Sequence, residues 1–111
     1  MASFLKTQRD GAIQILTMSQ PGTRNALTGN TAVDELVEAC SAIRLDTSIR
    51  VVVLTAEGPV FSSGGNVKDM LRFQNQKLLP ETIREEYRNG IQRLPRALYN
   101  LDVPVICAIN G

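Results

Sequence analysis

The chain has 111 residues, a length that suits one modest domain. Apolar residues make up 43% and charged residues 21%, the proportions of an ordinary globular protein rather than a disordered one. Twelve Lys and Arg residues against eleven Asp and Glu residues give a formal charge of +1, which offers no electrostatic case for nucleic acid or an anionic membrane. Apolar runs such as Val51–Leu54 are far too short to span a bilayer. We therefore expect neither nucleic acid nor a membrane as a partner.

The chain contains no histidine, so it cannot by itself form a His-based triad, a Cys–His dyad or a His-ligated metal site. Two cysteines are too few for a structural zinc site, and no metal is expected. Both Cys40 and Cys107 lie within apolar patterns, which predicts buried thiols in a reducing compartment. The N-terminal residues lack the long apolar segment of a secretory signal, so we expect a cytoplasmic protein.

The first half of the chain predicts a hairpin, a helix and a strand. Strands are predicted over Phe4–Gln8 and Ile13–Met18, because Asp10-Gly11 between them supplies the positive φ values of a tight turn. After a loop rich in Pro, Gly and Asn, apolar residues at helical spacing predict an amphipathic helix over Thr28–Leu45, with its first residue as the N-cap. The β-branched run Val51–Leu54 is typical of a strand buried on both faces. This order indicates an α/β layer structure.

The second half predicts further helices and a last strand. A short helix is expected from Val67 to Phe73, and another begins at Pro80. Pro95 is expected to break or kink that second helix, because proline lacks the N–H donor and clashes with the preceding turn. The segment Val103–Ile109 reads as a second buried strand, with Cys107 in the core.

The segment Phe61–Met70, with the sequence FSSGGNVKDM, offers the clearest indication of chemistry. Small residues after a buried strand let a ligand approach the main chain closely. If Asn66 caps the following helix, the N–H groups around Gly65 lie at its positive end. Such donors can hold a phosphate or the oxyanion of an acyl group that becomes an enolate. A purely structural strand–loop–helix connection would have the same pattern, which matches neither a Walker loop nor a full Gly-x-Gly-x-x-Gly fingerprint.

Three ordered blocks of the sequence resemble the crotonase family, the enoyl-CoA hydratase/isomerase superfamily. Arg24–Leu27 resembles the basic-Asn-Ala-Leu block of that family. Val51–Thr55 and then Phe61–Lys68 resemble its central strand and its Phe-small-small-Gly-small-Asp-hydrophobic-Lys stretch. Pro104–Gly111 is similar to the strand that leads to the second Gly-rich turn. The resemblance covers nearly the whole chain and implies an α/β fold with the N-terminal part of the family's ββα spiral core.

The resemblance also implies a substrate and a set of site residues. Members of the family bind acyl-CoA thioesters and hold the thioester oxygen between two backbone N–H groups, the first of which matches Gly65. The positions that contact coenzyme A in the family fall on Arg24, Ala26, Ser63, Gly64, Gly65, Asn66, Val67 and Lys68. Coenzyme A enters as part of the substrate, and no separate cofactor is implied. Asn66 replaces the usual Asp, but Asn can also cap a helix.

The same resemblance implies that residues 1–111 are the N-terminal part of a single domain. In the family, the second oxyanion donor and the paired glutamates of hydratases fall beyond the position of Gly111. The sequence therefore does not choose between hydration, isomerisation, hydrolysis and other enolate reactions. By analogy with the family, we expect the full-length protein to be a homotrimer or a hexamer.

Three hypotheses for function follow. The first is an enzyme of the enoyl-CoA hydratase/isomerase type, which stabilises a thioester enolate through the Gly65 N–H. The second is a non-catalytic acyl-CoA-binding fragment or subunit that lacks the acid–base residues. The third is a phosphate-binding α/β module unrelated to coenzyme A. Arg24 and Lys68 are CoA contacts under the first two hypotheses, and each could instead be a solvated surface cation.

Overall fold

A computed structural model describes residues 3–111. Its elements in chain order are β1 (Leu5–Asp10), β2 (Ile13–Met18), a 3-10 turn (Pro21–Thr23), α1 (Ala32–Leu45), β3 (Val51–Ala56), α2 (Val67–Asn75), α3 (Pro80–Asn89), α4 (Arg93–Tyr99) and β4 (Val105–Cys107). Over residues 3–111, none of the helices combines the length and the apolar character that crossing a membrane requires.

The described residues form one four-stranded mixed sheet in the order β1-β2-β3-β4. Strands β1 and β2 are antiparallel, and their last pair, Asp10 with Ile13, closes a two-residue turn in which Gly11 has a φ of +59°. Strand β3 runs parallel to β2, and β4 runs parallel to β3. The predicted hairpin and the α/β class are thus confirmed. Strand β1 is shifted along the chain from the predicted Phe4–Gln8 because the ladder of pairs continues to the turn.

The core lies between the sheet and α1, where apolar side chains of both layers are buried. Its largest fully buried apolar side chains are those of Phe4, Leu16, Met18, Leu36, Cys40 and Val52. Burial raises the pKa of the Cys40 thiol, as the prediction of a buried cysteine implies. The prediction for Cys107 was wrong, because this residue is exposed. It lies on β4, an edge strand that the described residues leave uncovered on one side.

The start of α1 differs from the prediction. The helix begins at Ala32 rather than at Thr28, and its N-cap is Thr31. Gly29 has a φ of +76°, so the chain is not helical there. The hydroxyl of Thr28 is used elsewhere, since it accepts a hydrogen bond of 2.7 Å from the N–H of Asn66. Thr28 therefore bonds to the distant loop at Asn66 instead of capping α1.

The break between α3 and α4 also lies elsewhere than predicted. Helix α3 ends at Asn89, well before Pro95, and α4 begins at Arg93. A Cβ atom on Gly90 would lie 2.7 Å from the carbonyl oxygen of Glu86, so this turn requires glycine. Pro95 lies in the first turn of α4, where its missing N–H costs no helical hydrogen bond. Strand β4 covers only the middle of the predicted strand Val103–Ile109.

The carboxylate of Glu35 joins α1 to the beginning of the sheet. It accepts hydrogen bonds from the N–H groups of Phe4 at 2.8 Å and Leu5 at 3.2 Å, and from the hydroxyls of Ser3 and Thr31. Burial acts to raise the pKa of Glu35, but these four hydrogen bonds to the ionised form together lower it to about 2.

We expect acidification to remove this contribution to stability. Because the pKa of Glu35 is lower in the folded state than its ordinary value of 4.5, the ionised carboxylate favours folding above pH 4.5, and the benefit is lost as the pH falls towards 2. Allowing for solvent screening, the contribution at pH 7 is about 2 kcal/mol. Urea unfolding of the wild type and of Glu35→Gln should show this difference at pH 7 and a smaller one near pH 3.

The exposed Glu38 of the same helix provides the control for this measurement. Glu38→Gln removes an equal charge and should change the free energy of unfolding by less than about 0.5 kcal/mol at either pH. A difference between the wild type and Glu35→Gln that does not change with pH would contradict the role assigned to the carboxylate.

Candidate functional site

Two loops that are almost forty residues apart in sequence lie side by side next to the C-terminal end of β3. The N–H of Ser63 donates to the carbonyl oxygen of Arg24 at 2.9 Å, and the N–H of Leu27 donates to that of Gly64 at 2.8 Å. These bonds form a short ladder between the loops. The structure thus brings together the blocks Arg24–Leu27 and Phe61–Lys68, which the sequence analysis singled out separately.

Asn25 fixes the geometry of both loops from a fully buried position. Its Oδ1 accepts from the N–H of Gln20 at 2.8 Å. Its Nδ2 donates to the carbonyl oxygens of Glu57 at 2.9 Å and Val60 at 3.2 Å. Its own carbonyl oxygen accepts from the hydroxyl of Ser62 at 2.7 Å. Every side-chain donor and acceptor of Asn25 is therefore used, and the backbone around it adopts a φ of +53°, which Asn tolerates better than most residues.

The sequence did not predict that Asn25 organises the two loops, because this residue was noted only as part of the block Arg24–Leu27. A signal was present, since an Asn in a loop rich in Pro and Gly can occupy the left-handed region and bond to nearby backbone. Its partners at positions 57 and 60 could not be identified, because they depend on how β3 and its loop are placed in three dimensions.

The N-terminus of α2 is capped as predicted. The Oδ1 of Asn66 accepts from the N–H groups of Lys68 at 2.9 Å and Asp69 at 3.3 Å. This is the usual geometry of an N-cap, which satisfies donors that the first helical turn leaves open. Helix α2 extends to Asn75, two residues beyond the predicted end at Phe73.

The backbone N–H groups of this loop and of the first turn of α2 are mostly paired within the protein. Those that donate to a protein acceptor belong to Ser63, Gly64, Asn66, Lys68, Asp69 and Met70. The N–H groups of Gly65 and Val67 have no acceptor among residues 3–111. They lie at the positive end of the α2 dipole, which favours an anion or a partially negative oxygen.

The other predicted contacts with coenzyme A lie around this loop. Arg24, Ser63, Val67 and Lys68 are exposed, and Gly64, Gly65 and Asn66 are partly buried. Within the described part of the chain, neither Arg24 nor Lys68 forms a salt bridge, so both cations are available to an anionic ligand.

Ala26 differs from these residues, because it is buried, with 4% of its surface exposed. Its N–H donates to Thr23 and its carbonyl oxygen accepts from the side chain of Asn30. Any contact that Ala26 makes with a ligand is therefore confined to the small exposed part of its surface.

A cleft of about 200 Å³ lies beside Gly65, between the loop that precedes α1 and the helices α2 and α3. Apolar side chains form part of its wall, namely Leu27, Val33, Met70, Phe73 and Ile91. Three carboxylates also line it, those of Asp34, Asp69 and Glu86. The sequence did not predict this cleft, because its walls come from three separate segments.

Ion pairs hold the walls of the cleft together. Arg72 donates two hydrogen bonds, of 2.9 Å and 2.7 Å, to the two carboxylate oxygens of Glu86, which joins α2 to α3. These bonds lower the pKa of the exposed Glu86 carboxyl. Arg93 pairs with Asp34 and so joins the start of α4 to α1. In the described residues, no three His, Cys, Asp or Glu side chains come together as a group that could hold a metal ion.

Comparison with known proteins identifies the family. The sequence model described as enoyl-CoA hydratase/isomerase matches residues 8–111. The chain belongs to the enoyl-CoA hydratase/isomerase family. Membership accounts for the three sequence blocks noted above and for their order along the chain.

Individual members of the enoyl-CoA hydratase/isomerase family show the same relationship. The chain is 31% identical over 109 residues to the 2,3-dehydroadipyl-CoA hydratase of Escherichia coli, a match that covers 98% of this chain and 39% of that protein. It is also 31% identical over 99 residues to enoyl-CoA hydratase AFT3-1 of Alternaria alternata, which covers 89% of this chain and 31% of that protein. The chain thus spans less than half the length of the curated relatives it matches.

Solved structures of the family confirm the predicted crotonase-like fold. The crystal structure of an enoyl-CoA hydratase/carnitine racemase from Magnetospirillum magneticum matches with a TM-score of 0.82 at 28% identity, over 100% of this chain and 40% of that one. An enoyl-CoA hydratase subunit from Geobacillus kaustophilus matches with a TM-score of 0.78 at 30% identity, over 98% of this chain and 39% of that one.

Proposed function

We propose that the protein to which this chain belongs binds acyl-CoA thioesters and stabilises the thioester enolate through the N–H of Gly65. One observation supports this role above the others: the N–H groups of residues 63, 64 and 66 all donate to protein acceptors, whereas that of Gly65 does not. An oxyanion hole needs a donor that is held rigidly and is not already used. Membership of the enoyl-CoA hydratase/isomerase family supplies the substrate class.

In the proposed reaction, the N–H of Gly65 stabilises the charge that develops on the thioester oxygen. Removal of a proton from the carbon next to the thioester carbonyl places negative charge on the carbonyl oxygen. A preorganised N–H at the positive end of α2 stabilises that charge more in the transition state than in the ground state, which accelerates the reaction. Hydration and isomerisation of an enoyl-CoA both pass through such an electron-rich oxygen, so the same donor serves either reaction.

The exposed cations Arg24 and Lys68 are proposed to contact the phosphates of coenzyme A, which is bound as part of the substrate. Charge-assisted hydrogen bonds to phosphate are stronger than neutral ones. The proposal retains the expectation from the family resemblance that the full-length protein is a cytoplasmic homotrimer or hexamer.

Titration of the full-length protein with acetoacetyl-CoA tests this function. Its β-ketothioester ionises readily, and the enolate is detected by its near-ultraviolet absorbance. We expect saturable binding with enhanced enolate absorbance, and free ATP should compete only weakly. A non-catalytic acyl-CoA-binding protein would bind acetoacetyl-CoA without enhanced absorbance, and a phosphate-binding module would bind ATP and acetoacetyl-CoA equally well.

A further inference from the structure

Met70 is the side chain that lies against Gly65. A Cβ atom placed on Gly65 would lie only 2.5 Å from the Cε of Met70, whereas the next neighbour, the hydroxyl of Thr28, would lie at 4.0 Å. The Met70 methyl group therefore fills the space where a side chain of residue 65 would stand. Since Met70 is on the first turn of α2, the Asn66 cap that fixes this helix also fixes the position of Met70.

Met70 also belongs to the wall of the cleft, together with Thr28. Gly65 itself does not line the cleft. The Met70 side chain thus lies against Gly65 and also lines the cleft, and 37% of its surface is exposed. It therefore joins the loop to the wall of the cleft.

We propose that Met70 determines the length of the acyl chain that the site accepts, an inference that rests on the function proposed for Gly65. A thioester oxygen held at the Gly65 N–H has the cleft as the adjacent space for its acyl tail. A short acyl group fits without reaching past the Met70 methyl group. A longer chain enters the cleft only when the Met70 side chain rotates away.

The chemistry of methionine suits this role. Its unbranched side chain has three rotatable bonds and adapts to irregular space, so it can close a passage and still be displaced. Beyond Met70, the cleft offers Leu27, Val33, Phe73 and Ile91 as apolar contacts for a chain. The carboxylates at its wall are paired with Arg72 and Arg93, so the apolar side chains are the contacts left for an acyl chain.

The test compares the affinity of the full-length protein for 3-ketoacyl-CoA thioesters with acyl chains of four, eight and twelve carbons. We expect Met70→Ala to change the ratio of affinities between long and short chains by about tenfold in favour of the long ones, because the obstructing atoms are gone. Leu71→Ala is the matched control, since Leu71 is the next residue of α2, is 50% exposed and does not line the cleft. It should leave the ratio within twofold of the wild type.

The outcomes separate this inference from the function on which it rests. If Met70→Ala and Leu71→Ala show the same ratio of affinities, the role of Met70 is wrong while the proposed function of Gly65 stands. If the wild type binds no 3-ketoacyl-CoA of any length, both proposals are wrong. Both variants should unfold at about the wild-type temperature, since neither substitution removes a fully buried side chain.

Discussion

Replacement of Gly65 by proline is expected to lower the rate of enolate formation in the full-length protein by about 10²–10³-fold. Proline has no N–H, so the variant loses the donor proposed to face the thioester oxygen. The N–H groups of residues 63, 64 and 66 donate to protein acceptors, so among residues 63–67 only the N–H of Val67 is also free. The measurement is the exchange of the α-proton of an acyl-CoA substrate with solvent deuterium.

Gly65→Ala is the matched control for this substitution. It adds a Cβ atom like that of proline, and the Met70 methyl group must move to accommodate it, but the N–H is kept. The φ of Gly65 is not in the left-handed region, so alanine causes no backbone strain there. We expect Gly65→Ala to stay within about tenfold of the wild-type rate. A proline variant that melts like the wild type and still exchanges the α-proton at the wild-type rate would refute the role of the N–H.

Replacement of Asn25 by aspartate is expected to destabilise the fold by about 3 kcal/mol or more. The substitution keeps the size of the side chain and the acceptor for the N–H of Gln20. It replaces the amide donors that bond to Glu57 and Val60 with an acceptor, so that oxygen faces two carbonyl oxygens in a fully buried site. The residue must then either bury an unpaired charge or take up a proton. Urea unfolding of the full-length protein measures the loss.

The exposed Asn89 at the end of α3 provides the control for Asn25. Asn89→Asp introduces the same charge at the surface and should change the free energy of unfolding by less than about 1 kcal/mol. An Asn25→Asp variant that unfolds at the same urea concentration as Asn89→Asp would show that the bonds of Asn25 do not hold the two loops together.

Local signals in the sequence predicted the elements that depend on neighbouring residues. Asp10-Gly11 identifies the hairpin because the geometry of a tight turn depends on the residues at the turn itself, where Gly11 has a positive φ. Asn66 identifies the start of α2 because a cap bonds to N–H groups only two and three positions away.

The features that the sequence did not reveal depend on contacts between distant residues. Thr28 has the character of an N-cap, but its hydroxyl bonds to Asn66, thirty-eight positions later. Proline usually ends a helix, yet Pro95 lies in the first turn of α4 because the close approach at Gly90 has already ended α3. The importance of Asn25 likewise arises only when β3 and its loop are placed beside the N-terminal segment. The shape of the cleft arises only when α2 and α3 lie beside the loop that precedes α1.

The most direct measurement of the central claim is the NMR signal of the Gly65 amide in the full-length protein labelled with [15N]glycine. Saturation with acetoacetyl-CoA should move the proton resonance of this amide strongly downfield, as expected for a donor to a negatively charged oxygen, and saturation with coenzyme A alone should not. A Gly65 resonance that stays in place while other signals report full occupancy by acetoacetyl-CoA would contradict the account.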